Sequence, residues 1–198
     1  RGCKMTDELR EYTVKNAWDK VLMFLYDRFE GLPSPREFLD ETLELKREMM
    51  DKNGPALLPG AREVLSSLSR SYSLAIVTGS FKMEAERLLA HMNAAGHVKC
   101  IIGGDDVNFH KPNPECYLRA AEALGCSPHR CLAVEDSPIG IAAGVAAGTA
   151  VVAVKAGNRY GFNQAGAPYR IDSLLDLTEE KIESIWKDWN PGTLLQGD

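Results

Sequence analysis

The chain has 198 residues, a formal charge of −5, 44% hydrophobic and 26% charged residues, which is enough apolar material for a sizeable globular core. The acidic balance and the lack of a basic stripe argue against nucleic acid as a partner. The most hydrophobic run, Ile139 to Val154, is too short and too rich in glycine and alanine for a membrane span.

Residues 6–30 have a helical period, with Trp18, Val21, Leu22, Leu25 and Phe29 on one face. Gly31-Leu32-Pro33 breaks that helix. Ser34, Pro35 and Glu37 then supply the N-cap, first-turn proline and capping acid of a second, running to about Asn53-Gly54-Pro55. No strand is expected in this first third. From Leu58-Pro59-Gly60 onward the pattern becomes an alternation. Helices are expected at Ala61–Arg70, Lys82–Ala90, Asn113–Leu124 and Thr178–Trp186, and strands at Leu74–Val77, Cys100–Ile102, Cys131–Val134, Ala150–Val154 and Tyr169–Ile171. Strands alternating with helices imply an α/β fold, a parallel sheet with helices on both faces. The domains read as a helical segment over 1–57, an α/β core over 58–190 and a loose tail over 191–198.

Five cysteines, at positions 3, 100, 116, 126 and 131, include no C-x-x-C pair. Cys100, Cys116 and Cys131 sit in apolar surroundings, which favours reduced, buried thiols. With no signal peptide in view, the expected location is cytoplasmic.

Three places carry chemistry. Thr78-Gly79-Ser80 ends an apolar strand where hydroxyls and free amides at a helix start suit an anionic oxygen, phosphate above all. Alternatively, Ser80 merely caps the helix. Lys111 is fixed between His110 and Pro112 in a loop stiffened by Pro112 and Pro114, where its ammonium can neutralise a phosphate or a carboxylate nucleophile. A solvated loop lysine is the plainer alternative. His110 has no second histidine at metal-ligand spacing and reads as a loop residue. Glu135-Asp136 follows a buried strand and precedes Ser137-Pro138 and a helix carrying Gly140, Gly144 and Gly148. Two adjacent carboxylates repel unless a cation or proton lies between them, and oxygen-only ligands favour a hard ion such as Mg²⁺. The glycines suit close helix-to-sheet packing and a C-terminal stop. A hydroxyl, a lysine and an acid pair, each after a successive strand, suit phosphoryl chemistry.

With these residues in view, the segment from Leu58 to about Leu177 resembles the haloacid dehalogenase-like hydrolase superfamily, in the branch containing β-phosphoglucomutase and phosphoglycolate phosphatase. The resemblance is carried by LPGAREVL, LAIVTGS, GGDDVNFHKPNPECYLRAAEALG and VEDSPIGIAAGVAAG. It implies that Thr78 binds phosphate with Gly79 and Ser80, that Lys111 steadies nucleophile and phosphate, and that Glu135 and Asp136 hold Mg²⁺. It also implies a Rossmann-like core, a substrate that is a small phosphorylated metabolite, and a helical cap formed by the first third. The cap would carry specificity, with Tyr12, Asn16 and Arg47 available to face the site.

The sequence departs from the family at the nucleophile. The family places an attacking aspartate and a second acid-base aspartate in a D-x-D-G-T motif on the first strand, and no such motif occurs here. Asp27, after an apolar run of helical period, has no second aspartate and no Gly-Thr behind it. Asp105 and Asp106 belong to the third motif. In the family the missing strand is central, so its loss leaves two ladder edges unpaired. A lost upstream segment explains this better than a protein selected without it, and the sequence upstream of Arg1 would decide. The expectation is a Mg²⁺-dependent phosphatase or phosphomutase-like hydrolase, inactive as these 198 residues. The alternative is a pseudo-phosphatase that binds a ligand or partner. A Mg²⁺-independent dehalogenase would leave the acid pair without a purpose. The sequence does not define an oligomeric state.

Overall fold

A computed structural model of the chain describes residues 6–16, 18–54 and 56–189. The tail expected to be loose, 191–198, and Cys3 lie outside them. The chain divides into two compact units, 1–57 and 58–198.

The first unit is helical. α1 (Asp7–Lys15) is capped by Thr6, whose Oγ1 accepts from Leu9 N at 3.2 Å. α2 spans Trp18–Arg28. The single helix expected over 6–30 is therefore two helices. Asn16 is extended (φ −126°, ψ 154°), and its side-chain amide donates to the Tyr12 carbonyl at 3.0 Å. An asparagine that satisfies a terminal carbonyl competes with helix continuation. α3 (Pro35–Asn53) begins with the expected capping box: Ser34 Oγ accepts from Glu37 N at 3.3 Å, and Glu37 Oε2 accepts from Ser34 N at 2.9 Å. Within this unit Tyr12 stacks on Phe24 at 4.0 Å between ring centroids, Arg47 pairs with Glu44, and Asp27 is exposed on α2.

The second unit alternates. Its elements are α4 (Ala61–Leu68), β1 (Ala75–Val77), α5 (Lys82–His91), β2 (Cys100–Ile102), α6 (Glu115–Leu124), β3 (Leu132–Glu135), α7 (Pro138–Ala146), β4 (Ala150–Val154), β5 (Tyr169–Ile171) and α8 (Glu179–Asp188). Every strand pair is parallel, so the fold is α/β. The sheet comes in two pieces, β1-β2 and β3-β4-β5. Among the described residues, neither β1 nor β3 has a ladder partner on its second edge.

β4 shows why helices cover both faces. All five of its residues are buried, as a continuous apolar run in a parallel sheet predicts. Val151 and Ala153 join a cluster with Cys116, Tyr117 and Ala120 of α6 and Ile141 and Ala143 of α7. Ala150, Val152 and Val154 join the opposite cluster with Leu68 of α4 and Ile182 and Ile185 of α8. The alternation of strand side chains thus divides one strand between two cores. A Cβ at Gly144 would meet Val151 Cγ2 at 2.9 Å, so glycine there lets α7 lie close on β4. Gly148, at φ +78°, turns the chain after α7.

Candidate functional site at the carboxyl ends of β1 and β3

β3 ends on Glu135, which pairs in register with Ala153 of β4 and is buried at 8% exposure. A buried carboxylate needs partners, and three side chains supply them. Lys111 Nζ donates to Oε1 at 2.5 Å, the Tyr117 hydroxyl donates to the same oxygen, and Ser137 Oγ donates to Oε2 at 3.2 Å. Ser137 is also the N-cap of α7, its Oγ accepting from Gly140 N at 3.1 Å. Gly140 is required by this arrangement. A Cβ there would stand 2.0 to 2.3 Å from the Glu135 carboxylate atoms, so the helix can press on the carboxylate only where a side chain is absent.

Lys111 makes a polar contact to both sheet pieces, which also share one apolar cluster. Besides Glu135 of β3, its ammonium reaches the carbonyl of Val77 in β1 at 3.4 Å and lies 5.1 Å from the Tyr117 ring centroid. The lysine is 13% exposed and so is not a solvated loop side chain. Burial, and then the charge of Glu135, raise the Tyr117 hydroxyl well above an ordinary phenol, keeping it protonated as a donor.

Thr78 follows Val77 directly. Its N–H continues the ladder to Ile102 O at 3.0 Å, and its Oγ1 accepts from Ser80 N at 3.1 Å. The helix start lies further on than the motif suggests. α5 begins at Lys82 after Phe81, so Ser80 is not its N-cap, and the Lys82 amide is taken by Asp105 Oδ1 at 2.7 Å. The first amide of α5 is therefore occupied by an acid of the chain itself. Gly79 is exposed and has no atom within 4 Å of a would-be Cβ, leaving open space beside its backbone. The loop rests on Gly104, whose own N–H donates to Ser80 O at 2.7 Å and whose Cβ would strike Gly79 O at 2.5 Å.

Asp136 stands one residue past β3, exposed, with Gly157 against its side chain. Among the described residues no other side chain pairs with its carboxylate, while its backbone carbonyl accepts from Gln164 Nε2 at 2.8 Å. Desolvation by the surrounding protein, and then the Glu135 charge, push its carboxyl above the ordinary value, with its own backbone amide and then Lys111 opposing. A bound cation would relieve both.

The donor set fits Mg²⁺. A carboxylate offers about four lone-pair directions. Lys111 and Tyr117 take those of Glu135 Oε1, and Ser137 takes one on Oε2, which leaves one direction on Oε2, and the next residue, Asp136, carries a second carboxylate. No group of three metal-binding side chains occurs among the described residues. Two carboxylates suffice for Mg²⁺, which keeps waters and substrate phosphate oxygens for the rest of its shell.

Thr78, Lys111 and Glu135 thus come together through Val77 and the lysine, with Asp136 adjacent. Sequence reasoning missed Tyr117 and the second purpose of Gly140. It missed Asp105 as well, whose carboxylate occupies an amide that was expected to be free.

The parallel α/β core, with a hydroxyl, a lysine and an acid pair at its strand ends, has a Rossmann-like architecture. The profile of the haloacid dehalogenase-like hydrolase family matches residues 2–154, and the chain belongs to that family. The bifunctional riboflavin kinase/FMN phosphatase of Arabidopsis thaliana is 34% identical over 163 residues, covering 80% of this chain and 42% of that protein. Hexitol phosphatase A of Escherichia coli (strain K12) is 33% identical over 151 residues, 71% of this chain and 69% of that one. β-Phosphoglucomutase from Clostridium difficile shares the fold, with a TM-score of 0.77 at 23% identity over 94% of this chain and 84% of its own. Across eight curated relatives the chain spans between 42% and 69% of their length. No helix among the described residues is long and apolar enough to cross a membrane.

Proposed function

We propose that this chain forms the phosphate- and metal-holding part of a Mg²⁺-dependent phosphatase or phosphomutase acting on a small phosphorylated metabolite. The observation that carries the reading is the position of Lys111, whose ammonium touches both Glu135 at the end of β3 and the Val77 carbonyl beside Thr78. A phosphoryl group received there meets the Thr78 hydroxyl, the open backbone at Gly79 with Ser80 next to it, and a fixed positive charge. Glu135 and Asp136 would hold Mg²⁺, which supplies Lewis-acid neutralisation of the transferring phosphoryl oxygens. The relatives' names, one an FMN phosphatase and one a hexitol phosphatase, support a small phosphorylated substrate. The first 57 residues serve as a cap that selects it, the free cysteines support a cytoplasmic location, and the net charge of −5 supports a protein with no nucleic acid among its partners.

The nucleophile is the part these residues lack. The chemistry calls for an aspartate whose carboxylate oxygen bonds phosphorus as the ester P–O bond breaks and the leaving oxygen takes a proton. Water or an acceptor hydroxyl then takes the phosphoryl group from that aspartate. No D-x-D-G-T segment is present to supply it. The purified chain is therefore expected not to hydrolyse p-nitrophenyl phosphate with Mg²⁺, although it binds Mg²⁺ and inorganic phosphate. Turnover that Asp136→Asn abolishes would show that a nucleophile is present after all. The absent motif also supports a second reading, a pseudo-phosphatase whose pocket binds a ligand without turning it over.

A further inference from the structure

We propose that Cys126 and Cys131 form a redox modification site whose reactant is a low-molecular-weight disulfide of the glutathione type. Their sulfurs lie 3.3 Å apart, about 1.2 Å more than a disulfide bond requires. Among the described cysteines no other pair of sulfurs is in contact. This contact is prepared by its surroundings. Cys126 N donates to Ala121 O of α6 at 3.0 Å, Arg130 N to Ser127 O at 2.9 Å, and Cys131 N to Pro128 O at 2.9 Å. The turn between the cysteines is also held from outside: the His129 imidazole lies 3.2 Å from Gly148 O, and Trp189 Nε1 donates to His129 O at 3.2 Å. A short loop pinned at both ends and in the middle keeps two half-buried thiols facing each other before any oxidant arrives.

Burial, and then the neighbouring Cys126, hold the Cys131 thiol above its ordinary value, so at neutral pH it is protonated and takes the part of the second, resolving thiol. The Cys126 thiolate bonds one sulfur of the small disulfide and expels the other as a thiolate, leaving a mixed disulfide. Cys131 gives its proton to that thiolate or to water, and its sulfur displaces the second small thiol from Cys126. Two protein thiols are oxidised, one small disulfide is reduced to two thiols, and no other reactant is needed. The site is independent of the phosphoryl chemistry proposed above, although it lies between α6, which carries Tyr117, and β3, which carries Glu135.

The test uses the full chain incubated with excess glutathione disulfide, alkylated, and digested with trypsin without reduction. Trypsin cuts after Arg130, between the two cysteines, so a disulfide ties the peptide 120–130 to the peptide 131–155. The expected main product of the wild-type chain is that linked pair. Cys131→Ser should stop at a glutathione adduct on Cys126, and Cys126→Ser should leave Cys131 unmodified. Wild-type peptides that run separately, alkylated or each carrying glutathione, would overturn the proposal without recourse to either variant.

Discussion

Tyr117 and Asp136 are opposite cases of a single residue in the site's electrostatics. The Tyr117 hydroxyl donates to a buried carboxylate that also holds Lys111. Tyr117→Phe keeps the ring under the ammonium and removes only the donor, so it should cost about 1–3 kcal/mol in urea unfolding. A variant as stable as the wild type would show that Lys111 and Ser137 hold Glu135 unaided. Asp136 is raised above the ordinary carboxyl value, so the folded chain binds its proton more tightly than the unfolded chain does. Its ionisation therefore lowers stability as pH rises through the window between those two values, and protonation restores it. Asp136→Asn should raise Tm at neutral pH without added metal and flatten that acid-side slope, as followed by circular dichroism. A lower Tm would contradict the assignment. None of the Tyr117 role was legible in the sequence, because its partner lies in another element and the tyrosine sits among apolar residues that predict a core position. The position of the acid pair was legible because two charges directly after an apolar run mark the end of a strand, where β3 does end.

Elements explain why single residues were placed where they are. Helix caps were readable in the sequence wherever side chain and backbone meet within a few residues, as at Ser34 with Glu37 and at Ser137 with Pro138. The break at Asn16 and the delayed start of α5 were not, since one depends on which carbonyl an amide chooses and the other on Asp105, far along the chain. α7 gives the sharpest test at this scale. Alanine is favoured over glycine inside a helix by about 1 kcal/mol, yet a Cβ at Gly140 would overlap the Glu135 carboxylate. Gly140→Ala is thus expected to destabilise by roughly 1–3 kcal/mol, as overpacked sites do. Thermal unfolding that finds it equal to or above the wild type would mean that α7 does not press on Glu135. Lys111→Met tests the polar contact between the sheet pieces. It leaves a buried carboxylate without its cation, at a cost of about 3–5 kcal/mol by urea titration, and a loss below about 1 kcal/mol, the level of surface pairs, would contradict a buried role.

For the whole molecule, the alternation from Leu58 onward was legible because β4 is apolar throughout and the helices around it carry one apolar face each. The division of the sheet into β1-β2 and β3-β4-β5 is a property of pairing, which local pattern alone does not define. Lys111 crosses that division, reaching from the end of β1 to the end of β3, the two sides proposed to hold phosphate and metal. The most direct test is NMR of the full chain titrated with Mn²⁺, a paramagnetic ion that takes the same oxygen ligands as Mg²⁺. The account predicts that amide signals of residues 135–137, 139–140 and 78–80 and of Lys111 broaden first, and that Asp136→Asn abolishes the effect while the rest of the spectrum is kept. Broadening centred elsewhere, or unchanged by Asp136→Asn, would contradict a metal-assisted phosphoryl site at the ends of β1 and β3.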